Sequence, residues 1–367
     1  MSETETLRIM CQQGDTTNLK EMLSKINVNK YDNCGWTPLL LACYYGQLQI
    51  VALLLEQKKI NVNLVFKNEE SALHFACWRG ELEIVKLLLS HKINLNKGNR
   101  GGVTPLMVAC ENNYIEIVKL LIAQEKVDLK IKTRTGKTAL YIACDGGHLE
   151  IVKLLLNDKR VDVNSQTLNQ ETPLMISCER GHIEIVRLLL SHPKVDVNLQ
   201  NVSGWTAFYW SCRNGEEEIV KLMLQNSKID INLQTMQRET PLMISSYWGR
   251  VEIIKWILLS QREINLNVKD YKGKTAIDWA NEKLICQDKG IWSRKQIISQ
   301  LFQTFQETPK VLQFQLKMEF GLLCNYFFLK FIFIPFFLFY FLFIYCDQFY
   351  KINFSNSNLL NSISKIN

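Results

Sequence analysis

The stretch TPLMISCERGHIEIVRLLL, Thr172 to Leu190, reads as two short helices joined by a tight turn. Threonine followed by proline puts a hydroxyl at the N-cap and a residue without an N–H at the first helical position, where none is needed. Nine residues after the cap, Gly181 supplies the residue type that most easily takes the left-handed conformation ending a helix. The following EIVRLLL sets Ile and Val beside Leu on one apolar face of a second helix. One such pair of short helices needs neighbours to bury its faces.

Neighbours are present. Aligned on the residue that starts the first helix, the pattern recurs at Thr37, Ser71, Thr104, Thr138, Thr172, Thr206, Thr240 and Thr275, at intervals of 33 to 35. A fixed period near 33 marks a stack of supersecondary modules. Proline follows the threonine at Pro38, Pro105, Pro173 and Pro241; elsewhere the next residue is alanine. The helix-ending slot holds Gly46, Gly80, Gly147, Gly181, Gly215 and Gly249, and Asn113 in the third unit, the second-best residue for it. In the second helices Glu83 and Lys86, or Glu150 and Lys153, stand three apart with the acid nearer the N-terminus. An extended VDVN or INLN segment and a polar hairpin lead to the next threonine.

These units resemble the ankyrin repeat, through TPLLLACYYGQLQIVALLL (Thr37–Leu55), SALHFACWRGELEIVKLLL (Ser71–Leu89) and the opening stretch. The resemblance runs from about Leu7 to Gln306. It implies an all-α repeat solenoid of helix-turn-helix units joined by β-hairpin loops. The tetratricopeptide repeat shares the period but not the threonine-proline start, and its Trp, Leu-Gly, Tyr pattern is missing. One departure stands out: only His74 fills the family's histidine slot, which elsewhere holds Leu40, Met107, Tyr141, Met175, Tyr209 and Met243. The helix-to-hairpin hydrogen bonds of that histidine are therefore expected once.

The expected organisation is an N-terminal capping helix pair over residues 1–30, seven repeats over 31–274 and a divergent capping repeat over 275–308. That last repeat carries an insertion around Ile285–Ser293 and an outer helix over Arg294–Gln306. An amphipathic segment of either helical or extended character follows at 309–319, then a hydrophobic segment at 320–346 and a polar tail, read as disordered, at 347–367.

A net charge of +7 over 367 residues is mild and does not point to nucleic acid. The N-terminal MSETETLRIMCQQGD lacks a basic region followed by an apolar one, so the repeats are expected in the cytoplasm. Among the eleven cysteines, Cys43, Cys77, Cys110, Cys144, Cys178 and Cys212 recur at 33 or 34 residues, as a small buried packing residue would. No CxxC pair suggests zinc.

Catalysis has little support. Gly136-Lys137-Thr138 and Gly273-Lys274-Thr275 imitate the end of a phosphate-binding loop, but Ile131 and Val268 stand where its first glycine belongs. The five histidines divide among three repeat slots (His74; His148 and His182; His91 and His192) and so do not converge on one pocket. No enzyme activity, cofactor or metal is expected.

The resemblance implies instead a scaffold or adaptor, a monomer binding a protein on the concave surface of the array. Carried over slot by slot, that surface comprises Trp36, Tyr44, Tyr45, Trp78, Arg79, Glu111, Asp145, Glu179, Arg180, Trp205, Trp210, Arg213, Tyr247 and Trp248. Aromatics and arginine are the types that dominate interface energetics. A second, basic patch gathers Lys97, Arg100, Lys130, Lys132, Arg134 and Lys137 from the third and fourth hairpins, and suits an acidic partner or anionic surface. Without stacking aromatics beside it, nucleic acid is not expected. Asn29, Asn63, Asn96, Asn164, Asn198 and Asn232 occupy a slot hydroxylated in the family; the reading preferred here is a hairpin-stabilising role. The alternative function is a piece or divergent relative of an ankyrin-containing membrane enzyme or channel.

Phe320 to Cys346 is 27 residues with Lys330 as its one charge, long enough to span a membrane. Two readings stand side by side. As a tail anchor it would tether the repeats to an intracellular membrane from the cytosolic side, leaving the Asn353-Phe354-Ser355 sequon lumenal and Asn201-Val202-Ser203 cytosolic. As translated non-coding sequence it would explain the excess of Phe, Ile, Asn and Lys, all encoded by A/T-rich codons.

Overall fold

The computed structural model describes residues 3–23, 26–260, 262–282, 298–299 and 301–303. The hydrophobic segment at Phe320–Cys346, the stretches at Ile285–Ser293 and 309–319, the tail and its sequon lie outside these residues. The chain divides into two compact units, one ending at Ser211 and the next beginning at Cys212.

The first unit is a double row of short helices. The inner row is α1 (Glu3–Gln13), α3 (Pro38–Tyr45), α5 (Ala72–Arg79), α7 (Pro105–Glu111), α9 (Ala139–Asp145) and α11 (Pro173–Glu179), each packed against the next within the sequence α1 to α3 to α5 to α7 to α9 to α11. The outer row is α2 (Thr16–Leu23), α4 (Leu48–Leu55), α6 (Leu82–Leu89), α8 (Ile115–Ile122), α10 (Leu149–Leu156) and α12 (Ile183–Ser191). The first five of these also pack neighbour to neighbour, and α12 rests on α10. Helix α13 (Ala207–Asn214) carries the chain across the unit boundary. In the second unit α14 (Glu217–Gln225) packs on α16 (Val251–Leu259), and α15 (Pro241–Tyr247) on α16 and α17 (Ala276–Glu282). Residues 298–299 and 301–303 are helical, with Ile298 and Phe302 buried.

Local chemistry sets the helix ends. Thr37, Thr104, Thr138, Thr172 and Thr240 cap their helices, each hydroxyl oxygen accepting the N–H three residues on at 3.2–3.4 Å; such caps contribute about 1 kcal/mol each. At the other end Gly80 takes φ +79°, and Asn113 stands in the same left-handed slot at φ +59°. Gly80 is constrained twice, because the Tyr114 ring of the next repeat would lie 2.7 Å from a Cβ placed there.

Burial follows the repeat. The outer helices bury an Ile-Val-x-x-Leu face: Ile84, Val85 and Leu88 in α6, Ile151, Val152 and Leu155 in α10. Each such side chain is worth about 1.5–3 kcal/mol when fully buried. Cys43, Cys77, Cys110, Cys144 and Cys178 are all fully buried in the inner row, and Cys212 is fully buried in α13. The opposite face carries exposed ion pairs three residues apart, such as Lys86–Glu83 at 2.6 Å and Lys119–Glu116 at 2.7 Å.

The hairpins are tighter than strands. Each is closed by a backbone hydrogen bond, Phe66 N–H to Glu70 O at 2.8 Å or Asn99 N–H to Val103 O at 3.0 Å. Val65–Ser71 is the one isolated bridge among the described residues, because arms of two or three residues cannot sustain a ladder. The recurring asparagines act between repeats rather than within a hairpin. Asn96 donates from Nδ2 to Lys126 O at 2.8 Å while its Oδ1 accepts from Asp128 N–H at 2.9 Å. Asn29, Asn63 and Asn164 make the same pair of bonds. The amide spans one repeat spacing, so an extended segment with no strand partner is satisfied by its neighbour's backbone.

Candidate functional site

Two regions of the inner row of the first unit collect the residues expected to bind. The first is an aromatic cluster on repeats one and two. Trp36 stacks on Phe66 with ring centroids 4.0 Å apart, and lies 5.2 Å from Tyr44 and 5.1 Å from Phe75. Trp78 lies parallel to Tyr44, 5.8 Å away and tilted by 9°, while Tyr44 meets Tyr45 edge to face. Trp78 stays 48% exposed although its ring is held in place. Phe66 and Phe75 were not among the expected residues. Their signal was present: Phe66 sits where the second hairpin turns, and Phe75 follows the histidine slot.

The second region is charged. Asp145 accepts from Arg180 Nε at 2.9 Å and pairs with Lys137 Nζ at 3.3 Å, which ties the fourth and fifth repeats together. Glu111 is exposed and Glu179 half-buried on the same row. Arg79 leans towards Glu81 at 4.0 Å. Further along, Trp205 packs edge to face on Trp210 at 4.6 Å, and Tyr209 beside it is buried. Within the second unit Arg213 is half-buried, and Tyr247 contacts Trp248 at 5.4 Å and Trp279 at 5.5 Å, leaving Trp248 39% exposed.

The basic patch splits. Lys97 is bonded to Glu69 at 2.5 Å, Lys132 donates to Gln166 O at 2.8 Å, and Lys137 is engaged by Asp145. Arg100, Lys130 and Arg134 are exposed, with no side-chain partner among the described residues.

The histidines and the buried thiols serve the fold. Val103 O can only accept, so His74 Nε2 carries the proton that it donates at 2.9 Å. Nδ1 then accepts from the Ser71 N–H at 3.1 Å and the Ser71 hydroxyl at 2.8 Å. Burial, aided by Lys97, holds the His74 pKa down to about 4 against the opposing effect of the Val103 bond. The Ser-His contact is thus a buried helix cap. In the slots without histidine, sulfur and phenol partly replace it: Thr104 N–H donates to Met107 Sδ at 3.5 Å, Thr240 N–H to Met243 Sδ at 3.4 Å, and Tyr141 Oη to Glu171 at 3.0 Å. His148 and His182 donate from Nε2 to the carbonyls of Glu111 and Asp145 in the preceding repeat. Burial pushes the Cys11 and Cys144 thiols up to about 12 and raises those of Cys43, Cys77 and Cys110, which removes their nucleophilicity. In the loop-like strings Lys137 pairs with Asp145 and Thr138 caps α9, so no phosphate cradle forms. Among the described residues no helix is long and apolar enough to cross a membrane.

A search of curated proteins finds no match. Among solved structures, the ankyrin repeat domain of Bcl-3, described as a unique member of the IkappaB protein family, is 26% identical with a TM-score of 0.55. The alignment covers 61% of this chain and 98% of that one. A family model for ankyrin repeats in three copies matches residues 7–99, 92–167 and 159–235, and another for many copies matches 214–258. Ankyrin repeats are protein-interaction modules in general. With caps, left-handed turns and inner-row cysteines repeating in register over most of its length, this chain belongs to the ankyrin repeat family.

Proposed function

We propose that the chain is a non-catalytic scaffold or adaptor that binds a partner protein on the face of its inner helices. The observation that carries this reading is Trp78, stacked on Tyr44 yet 48% exposed. A large apolar ring held rigid in solvent has lost its conformational entropy before binding and gains its full burial on contact. Arg79 beside it and Asp145 and Arg180 further along offer polar contacts around this anchor. The absence of catalysis is supported by the raised thiols and by a histidine cap shut away from solvent. The buried free thiols of Cys11, Cys43, Cys77, Cys110 and Cys144 favour a reducing cytosol for the repeats. The binding reading is the same whether Phe320–Cys346 anchors the chain or not.

The test is affinity capture from cell extract with the full chain, comparing wild type with Trp78→Ala. A hot-spot tryptophan is worth about 2 kcal/mol or more. Trp78→Ala is expected to weaken capture of a specific partner about 30-fold, with helical content unchanged by circular dichroism. Capture that is equal in wild type and Trp78→Ala would rule out this face.

A further inference from the structure

Four residues before each helix-starting residue lies the apex of a hairpin, and its identity changes along the chain. Over hairpins two to four the apex is Lys67, Arg100 and Arg134; over hairpins five and six it is Leu168 and Val202. All five are exposed, Leu168 to 71% and Val202 to 49%. Apolar side chains that open at a turn apex add little burial to the fold, and two on successive apices make a patch. The neighbouring apical residues Asn169, Gln170 and Ser203 are neutral, so cationic and apolar character are segregated.

The apices are not independent fingers. Arg100 N–H donates to Asn68 O at 2.8 Å, Arg134 N–H to Gly101 O at 2.8 Å, Leu168 N–H to Thr135 O at 3.0 Å and Val202 N–H to Asn169 O at 3.0 Å. Each hydrogen bond ties one apex to the one before it, and hairpins two to six form a single backbone-linked row. Arg100 and Arg134 both lower the pKa of Glu69, but that carboxylate is already bonded to Lys97. The two guanidinium groups therefore keep donors to offer, as does Lys67, whose stem lies over Gly35. Within the second unit Met236, 71% exposed, and Tyr271, 59% exposed, occupy the same slot.

We propose that this row is a docking strip for an extended segment of a partner protein, with acidic residues facing Lys67, Arg100 and Arg134 and apolar residues facing Leu168 and Val202. The proposal rests on the reading of the chain as a protein-interaction module and names the chemistry of what it binds. Packed helices, and so successive repeats, stand about 8–10 Å apart. A chain in the polyproline II conformation rises about 3.1 Å per residue with about three residues per turn, so every third side chain falls on one face. The matching segment therefore carries its acids about every third residue, then its apolar residues at the same spacing. The acids gain charge-assisted bidentate hydrogen bonds to arginine, and the apolar end removes Leu168 and Val202 from water.

Fluorescence anisotropy with synthetic peptides and the full chain tests this. The probe is a labelled peptide with three glutamates and then two leucines, each at every third position on a Gly-Ser spacer. One control interleaves Glu and Leu; another replaces Glu by Lys. The ordered peptide is expected to bind about five-fold or more tighter than the interleaved one, and to weaken as salt rises. Arg100→Glu with Arg134→Glu is expected to weaken it about ten-fold and to favour the lysine peptide. Leu168→Ser with Val202→Ser is expected to weaken it about three-fold or more while leaving the salt dependence unchanged. Thermal melts of both double variants report that the array is intact, as expected for exposed apices. Equal binding of the ordered and interleaved peptides overturns the proposal, as does binding insensitive to both double variants. Peptide binding lost with Trp78→Ala but not with the apex variants assigns the segment to the inner helices, which defeats the docking strip and leaves the proposed function standing. Apex-dependent peptide binding beside protein capture indifferent to Trp78→Ala does the reverse.

Discussion

His74 is the histidine that caps a helix from inside the protein, and its environment makes stability depend on pH. Its folded pKa of about 4 lies below the ordinary 6.5, so the unfolded chain binds the extra proton first as pH falls. The histidine therefore costs no stability above pH 6.5, destabilises progressively between there and about 4, and levels off below. At pH 5 the linkage amounts to about 2 kcal/mol. The loss of unfolding free energy between pH 7 and pH 5, read by urea denaturation, is expected to be smaller in His74→Gln than in wild type by that amount; an equal loss in both would contradict the assignment. The slot itself was legible in the sequence, as were the threonine caps and the left-handed Asn113, because a period of 33 or 34 puts residues of one role in one column. The sulfur acceptors Met107 and Met243 were not legible. Methionine in a buried column reads as packing, and only the geometry of its thioether shows it accepting an N–H.

Between elements of the first unit, Asn29, Asn63, Asn96 and Asn164 each join one repeat to the next, and the interruption of their column is informative. Lys130 stands where Asn96 and Asn164 stand in adjacent repeats. Lysine has no acceptor and cannot make the paired bonds. At that junction the link runs through Arg160, which reaches back to donate to Ile122 O at 2.7 Å at the end of α8 and to Val127 O at 3.2 Å beyond it, as Arg262 does to Leu224 O beside Asn232. Asn96→Ala removes two inter-repeat hydrogen bonds and is expected to cost about 1–2 kcal/mol in urea denaturation. Lys130→Asn is expected to be neutral or stabilising, since it supplies the missing bridge; a loss as large as that of Asn96→Ala would show that the column does not act between repeats. The recurrence of asparagine was plain in the sequence. Its partner was not, because an amide beside a hairpin can serve that hairpin or the next one, and spacing along the chain is the same in both cases.

Across the whole molecule, the period determines the fold, and the proposed binding residues are departures from it. Columns held constant, such as the cysteines and the outer Ile-Val-Leu face, are buried, and so is the histidine slot, which changes identity but stays large; the columns that change in charge or polarity, Trp78 among Glu111, Asp145 and Glu179, or Leu168 after Arg134, lie on the surface or half-buried. The candidate face was therefore legible as a set of slots. Contacts such as Trp36 on Phe66 were not, because they join the end of one hairpin to the start of the next, residues that occupy different slots of the period. This separation predicts that stability and binding can be changed independently. Leu140 in α9 is 1% exposed, in a helix packed between α7 and α11. Leu140→Ala opens a cavity worth about 2–5 kcal/mol, and coupling between nearest neighbours spreads that loss along the stack. A lowered melting temperature is expected, together with faster amide exchange in α7 and α11 as well as α9, and unaltered partner capture at temperatures where the protein stays folded. Trp78→Ala is expected to give the opposite pattern, with melting and exchange close to wild type and capture lost. Exchange confined to α9 in the Leu140 variant would mean that repeats open singly, and that the inner face is not held as one cooperative surface.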